Sequence, residues 1–278
     1  MTSPTSPTSP TSPTSPAAPS DTVRLRQKLA ASLDEGVYVN VVESIPSTNT
    51  ALKESADSSD QHVLLALEQT AGVGRRGGAW LSPPVGNLYL SYAFHSERPL
   101  SELTFLPMTI AVALADEFEA LFGVDCKIKW PNDIYLGGKK CGGILIETVN
   151  VSADELAVII GLGLNVAQAP SSDVLQRPAT SLNAELEHDV AFDEVAAVCA
   201  KTIIDICRLS HDSLKTLLRS SWPKRDLLFN KRISAPSLGA GSAIARGLSS
   251  DGGLQVEFAG AMTTLYAGEV SLGHVDTQ

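Results

Sequence analysis

Apolar residues along this chain recur in two rhythms, one helical and one extended. In "DTVRLRQKLAASLDEG" leucines fall at 25, 29 and 33, behind an acidic first residue and ahead of Gly36. That spacing predicts one helix capped by Asp21 and stopped by the glycine. "VYVNVVE" follows as a strand, and "STNTALKESA" offers Ser47 or Thr48 as the cap of a second helix. "HVLLALEQ" is an apolar strand that turns polar at Glu68 and Gln69, and "NLYLSYAF" is another. "SELTFLPMTIAVALADEFEALFG" has the strongest helical pattern, with Ser101 as cap and Gly123 as stop. "VDCKIKW", "GGILIET" and "ELAVIIGLGLNV" are further strands, and helices are predicted over 191–209 and 211–220. After Pro223 the pattern shortens to apolar alternations broken by glycine turns, with Asp251-Gly252-Gly253 as a hairpin signal. The expectation is an α+β domain over 21–225 and a small β-barrel over 226–278.

Composition narrows the function classes. With 278 residues, 44% of them hydrophobic and 19% charged, the chain can bury one large core and one small one. A net charge of −10 opposes the basic face that a nucleic-acid binder presents. Cys126, Cys141, Cys199 and Cys207 show no CxxC spacing, and the five histidines form no HxxxH pair, so zinc is not expected. No apolar run reaches the roughly 20 residues of a bilayer span, and the N-terminus has no signal-peptide pattern. The expected setting is a reducing cytoplasm without membrane contact. Residues 2–16 are five copies of Thr-Ser-Pro. Proline at every third position favours polyproline II and leaves nothing for a core to recruit, so residues 1–20 read as a disordered tail. A docking or phosphorylation segment and an upstream start-codon artefact are the alternatives.

Three clusters carry polar residues that a core does not require. "GVGRRGG" combines glycines, which admit an anion to the backbone, with two guanidinium forks. It is neither a Walker loop nor a clean GxGxxG after a strand, which weakens kinase and dehydrogenase readings. "KWPNDIYLGGKKCGGILIE" presents Asn132 and Asp133 at a strand end, then a Gly-Gly hairpin with Lys139 and Lys140 behind it. Lys139 reads as a charged hairpin tip, whereas Lys140 directly precedes apolar sequence and is the candidate for an inward-facing cation. "GLGLNV" alternates glycine and leucine and ends on Asn165. Glycine inside a strand signals close approach of a ligand or another backbone, and the asparagine is either a turn residue or a ligand contact.

Taken in order, "STN", "EQTAGVGRRGGAWLSPPVGNLYLS", "KWPNDIYLGGKKCGGILIE", "GLGLNV", "ATSL" and "GEVSL" resemble the biotin protein ligases over about residues 38–272. The resemblance implies a mixed-sheet catalytic domain of the biotin/lipoate ligase type followed by a small C-terminal SH3-like β-barrel. It also implies a two-step reaction. The biotin carboxylate attacks the α-phosphate of ATP to give biotinyl-5′-adenylate and pyrophosphate, with Mg²⁺ present. A lysine amine on a biotin carboxyl carrier protein, or on the carrier domain of an acyl-CoA or pyruvate carboxylase, then takes the acyl group. By the same resemblance Lys140 and Arg75 are the catalytic residues. Ser47, Thr48, Asn49, Gln69, Gly72, Arg75, Lys140 and Gly143 are on the biotin side. Arg76, Trp80, Lys129, Asn132 and Asn165 are on the nucleotide side, Asp133 completes the "KWPND" signature, and the Mg²⁺ ligands stay unassigned.

Three departures stand out. Val73 replaces the first arginine of the family's usual GRGRRG loop. Gly273 follows "GEVSL" where bifunctional members carry an arginine. The stretch before the catalytic motifs is expected to be too short for a winged-helix DNA-binding domain. A monofunctional ligase without DNA binding is the implied type. The competing readings are a lipoate–protein ligase, a non-catalytic biotin sensor and a transcriptional repressor.

Overall fold

The computed structural model describes residues 21–272, apart from 57–59, 84–85, 172–174, 176, 240, 267 and 269. The Thr-Ser-Pro tail, Glu269 and Gly273 therefore lie outside the described residues. The first helix, α1, runs Asp21–Ala31 and buries Leu25 and Leu29. Strand β1 (Val37–Ile45) leads into α2 (Thr48–Glu54), then β2 (Gln61–Gln69) and β3 (Leu88–Ser96). A long helix α3 spans Leu106–Phe122 and is followed by β4 (Lys127–Lys129), β5 (Asp133–Leu136), β6 (Lys139–Asn150) and β7 (Leu156–Leu164). Helices α4 (Phe192–Arg208) and α5 (His211–Arg225) complete this part. The seven strands form one sheet in the order β1-β2-β3-β7-β6-β5-β4. Only the β1–β2 pair is parallel, joined by the crossover through α2; the other neighbours are antiparallel.

Alternation along β7 positions the site. Val158, Ile160, Leu162 and Leu164 are buried in the main core, with Ile110, Leu114 and Phe118 of α3 and Ile203 of α4. The opposite face carries Ala157 and Ile159, which pack with Leu52 of α2 and Leu64 of β2 in a second, smaller core. Because side chains alternate with period two, Gly161 and Gly163 continue this second face. At these two positions the face carries no side chain, and a groove is left.

Helix α1 ends at Ala31, short of the expected stop at Gly36, and two further boundaries differ from the sequence reading. The long helix begins at Leu106 rather than Ser101, with a separate turn at Leu100–Leu103 before it. Pro107 explains this: it lacks an amide donor and is tolerated only in the first helical turn. Helix α5 in turn continues through Pro223 to Arg225. Its last turn is held by tertiary contacts. The fully buried Arg225 donates to Asp116 at 2.6 Å and to the Cys126 carbonyl at 3.4 Å, and Trp222 donates to Asp226 at 3.0 Å.

Residues after α5 form a five-stranded antiparallel sheet: β8 (Arg232–Ser234), β9 (Ser242–Leu248), β10 (Leu254–Phe258), β11 (Ala261–Leu265) and β12 (Ser271–Leu272), in the order β11-β10-β9-β8-β12. Trp130 ties this sheet to the larger one, its indole N–H donating to the Gly252 carbonyl at 3.1 Å in the β9–β10 turn. The tryptophan of "KWPND" thus contributes to the junction of the two sheets.

Candidate active site

A cavity of about 640 Å³ opens on the groove face, where the ends of β1, β2 and β7 meet the β4–β6 hairpins and β12. At one end stands a polar pocket. Ser47 is the N-cap of α2, its hydroxyl accepting from the Thr50 amide at 3.4 Å. The amide of Thr48 donates to Gln69 Oε1 at 2.9 Å, and Gln69 Nε2 donates to Ser82 at 3.3 Å. The Ser91 hydroxyl lies 2.7 Å from Thr48 Oγ1 and 2.6 Å from Asn49 Oδ1. Asn49 also donates to Glu147 at 3.0 Å, and Glu147 is held by Lys53 at 2.8 Å. Buried amides and hydroxyls fixed in this way keep one orientation and can recognise a neutral polar ring.

The floor is glycine. Gly143 pairs with Gly163, and Leu145 with Gly161, across β6 and β7. A Cβ on Gly161 would lie 2.2 Å from Asn49 Oδ1, and one on Gly163 would lie 2.4 Å from the Trp80 ring. The glycines therefore give room to Asn49 and Trp80, each of which lines the cavity.

Cations gather at the other end. The wall carries Arg75, Arg76, Lys129, Lys140 and Arg177, and Asp133 is the only carboxylate among its described residues, although the whole chain is net −10. Lys140 is buried, 2.5 Å from Asp133 Oδ1, with its ammonium 5.4 Å from the centre of the Trp80 ring. Burial pulls the Lys140 pKa below its usual 10.5, and the Asp133 carboxylate opposes that fall. Lys139 points elsewhere, its side chain 48% exposed and paired with Glu185 at 3.0 Å. Gly137 and Gly138, both at positive φ, make the tight turn that sends the two lysines to opposite faces. Asn132 donates to the Ile144 carbonyl at 2.6 Å and accepts from Arg75 at 3.2 Å. The loop carrying both arginines is closed by hydrogen bonds from Gly74 N to Gly78 O at 2.6 Å and from Gly78 N to Arg75 O at 3.0 Å. Arg76 sits at φ 56, a left-handed conformation that costs about 1–2 kcal/mol for a residue with a Cβ.

Residues 41–165 match the Biotin/lipoate A/B protein ligase family. The biotin–[acetyl-CoA-carboxylase] ligase of Mycobacterium tuberculosis is 28% identical over 261 residues, covering 90% of this chain and 94% of that protein. The Bifunctional ligase/repressor BirA of Escherichia coli (strain K12) is 28% identical over 249 residues, covering 88% of this chain and 77% of that protein. The structure of the biotin protein ligase from Aquifex aeolicus in complex with biotin and ATP superposes with a TM-score of 0.70 at 29% identity, covering 85% of this chain and 98% of that one. Over most of its length the chain is similar to biotin protein ligases.

Most residues suggested by the resemblance to biotin protein ligases converge here. Ser47, Thr48, Asn49, Gln69, Arg75, Arg76, Trp80, Lys129, Asn132, Lys140 and Gly143 all line the one cavity. Two stand apart from its wall. Gly72 sits at the neck of the arginine loop, where its carbonyl accepts from the Trp80 amide at 2.8 Å and a Cβ would strike Trp80 O at 2.5 Å. Asn165 is buried and donates to the Thr180 carbonyl at 3.0 Å, fastening a neighbouring segment. Val73 lines the cavity and bridges Ala79 across the loop. Gly268, Val270, Ser271 and Leu272 bring the small sheet to the mouth. The sequence reading did not single out Ser91, Glu147 or Arg177. A serine inside the apolar strand "NLYLSYAF" and a glutamate closing "GGILIE" were the available signals for the first two; Arg177 lies in a loop with none.

Proposed function

We propose that this protein activates biotin with ATP as biotinyl-5′-adenylate and transfers the biotinyl group to a lysine of a carboxylase carrier domain. One observation carries the reading: a pocket of fixed neutral polar groups and a cluster of cations face each other across a glycine floor. The first suits the ureido ring of biotin and the second suits its carboxylate together with the phosphates of ATP. Two singly charged anions about 3.5 Å apart repel by roughly 5 kcal/mol at an effective dielectric of 20, so bringing them together demands converging positive charge. Lys140 and Arg75 offset that repulsion as a carboxylate oxygen bonds to the α-phosphorus and pyrophosphate leaves with the electron pair of the broken P–O bond. Trp80 covers the product and limits access of water to the labile mixed anhydride. The carrier lysine, as the free amine, then attacks the acyl carbon; AMP leaves and the amine sheds its extra proton.

Magnesium enters with the nucleotide as MgATP. Asp133, the single carboxylate among the described wall residues, suits an ion held mainly by phosphate oxygens and water. The carrier of an acetyl-CoA carboxylase is the natural acceptor, since relatives are named for it. The test is pyrophosphate release from MgATP on addition of biotin, followed by mass spectrometry of a carrier domain incubated with the protein. Growth of the carrier by one biotinyl group is expected. Equal or greater turnover with lipoate would overturn the assignment, and stoichiometric binding without turnover would make the protein a sensor.

A further inference from the structure

One cation of the cavity wall, Arg177, has no part either in the resemblance or in the scheme above. Arg177 is exposed at the rim, and the segment that holds it is bonded to the strand bearing Lys140. The Lys140 amide donates to the Pro178 carbonyl at 3.3 Å, the Thr180 amide donates to the Lys140 carbonyl at 2.9 Å, and Ala179 bridges Lys140 in parallel register. From the other side Asn165 grips the Thr180 carbonyl, and the Thr180 hydroxyl donates to Glu185 at 2.6 Å. Arg177 and Lys140 are therefore raised on two backbones laced side by side. Asp133, the only carboxylate among the described wall residues, is already bonded to Lys140. The Arg177 charge acts on Lys140 as a like charge, and an anion lying between them relieves their repulsion.

Position then selects the anion. Lys140 is buried where the reacting phosphorus must sit, while Arg177 stands further out on the same wall. The groups of ATP that project outward from the reacting phosphorus are the β- and γ-phosphates. A planar guanidinium binds such oxygens through two parallel hydrogen bonds. We propose that Arg177 is a further substrate-binding residue of this site, a clamp for the β- and γ-phosphates of ATP and for the pyrophosphate that leaves. This rests on the ligase reading above.

The test uses the full chain with Arg177→Ala and Arg177→Lys. Pyrophosphate release is measured with MgATP varied at saturating biotin, and then with biotin varied at saturating MgATP. Arg177→Ala should raise KM for ATP roughly tenfold, as for loss of one charged contact, and Arg177→Lys should fall between it and wild type. Inhibition by added pyrophosphate should weaken in parallel, while KM for biotin stays within roughly twofold. Transfer from preformed adenylate to a carrier domain should be unchanged. An unaltered KM for ATP overturns the proposal. So does a parallel rise in both KM values with a lower Tm, which marks a structural role. A defect confined to the transfer step also overturns it, assigning Arg177 to the carrier instead. No pyrophosphate release by the wild-type chain would sink the ligase reading itself, and this assignment with it.

Discussion

Lys140→Ala removes the buried cation of the site, and its effect can be worked out from the structure. Lys140 would make charge-assisted contacts to two reacting groups, the biotin carboxylate and the α-phosphate. Each is worth about 1.5–3 kcal/mol when desolvated, so roughly 3–6 kcal/mol of transition-state stabilisation is lost. That corresponds to a fall of roughly 10²–10⁴-fold in kcat/KM. Asp133 pushes the result toward the larger figure. It stands 2.5 Å from Lys140 Nζ, and without that partner its carboxylate repels incoming anions. The assay is pyrophosphate release under saturating biotin, with thermal unfolding followed alongside to show that the chain still folds. Activity within threefold of wild type would refute the electrostatic argument. A pH profile checks it independently. The ammonium is the active form and burial holds its pKa below 10.5, so kcat/KM should fall on an alkaline limb that begins below the pH of ordinary lysine ionisation. The same shift acts oppositely on stability: between the lowered pKa and 10.5 the unfolded chain holds the extra proton, so stability rises with pH there. Lys140→Arg keeps its charge and should move the limb to higher pH.

Four further predictions concern the walls and the scaffold. Trp80 and Trp130 both line the cavity, but the Trp130 indole is fixed to the Gly252 carbonyl while the Trp80 ring lies against the Lys140 ammonium, so Trp80→Phe should remove most of the change in tryptophan fluorescence on adding biotin and ATP; an undiminished signal would place the response elsewhere. Gly161→Ala sets a methyl 2.2 Å from Asn49 Oδ1, and Asn49 is pinned by Ser91 and Glu147. The displaced amide should raise KM for biotin roughly tenfold with little change for ATP, measured by the same release assay. Val73→Arg adds a cation to the cavity wall and should slow dissociation of biotinyl-adenylate, seen in a chase with unlabelled biotin and ATP; an unchanged rate would make the position silent. Arg225→Ala strands Asp116 and Glu119, but these carboxylates are 42% and 40% exposed and rehydrate. The loss should sit at the low end for a broken buried pair, roughly 3 kcal/mol, read as a lower denaturation midpoint at constant m-value.

The sequence by itself determined the parts of this protein that depend on neighbours in the chain. Leucine spacing marked α1, a cap at Ser47 or Thr48 marked α2, and Gly123 marked the end of α3, because turns, caps and face periodicity are set within a few residues. The motif order was legible for the same reason, and most of the residues it named line the cavity. Packing decided the rest. Helix α5 runs through Pro223 because Arg225 finds carboxylates on α3, a gain in energy that no local propensity contains. Asn165 read as either a turn residue or a ligand contact from its place at the end of "GLGLN"; its amide donates to the Thr180 carbonyl, which only the meeting of two segments makes available. Arg177 carried no local signal at all, since what matters about it is the proximity of Lys140 through a backbone ladder between separate stretches of chain. Periodicity is a property of one segment, whereas a charge cluster is a property of several brought together. The strands and helices were therefore written in the sequence, and the convergence of cations was left to the tertiary structure.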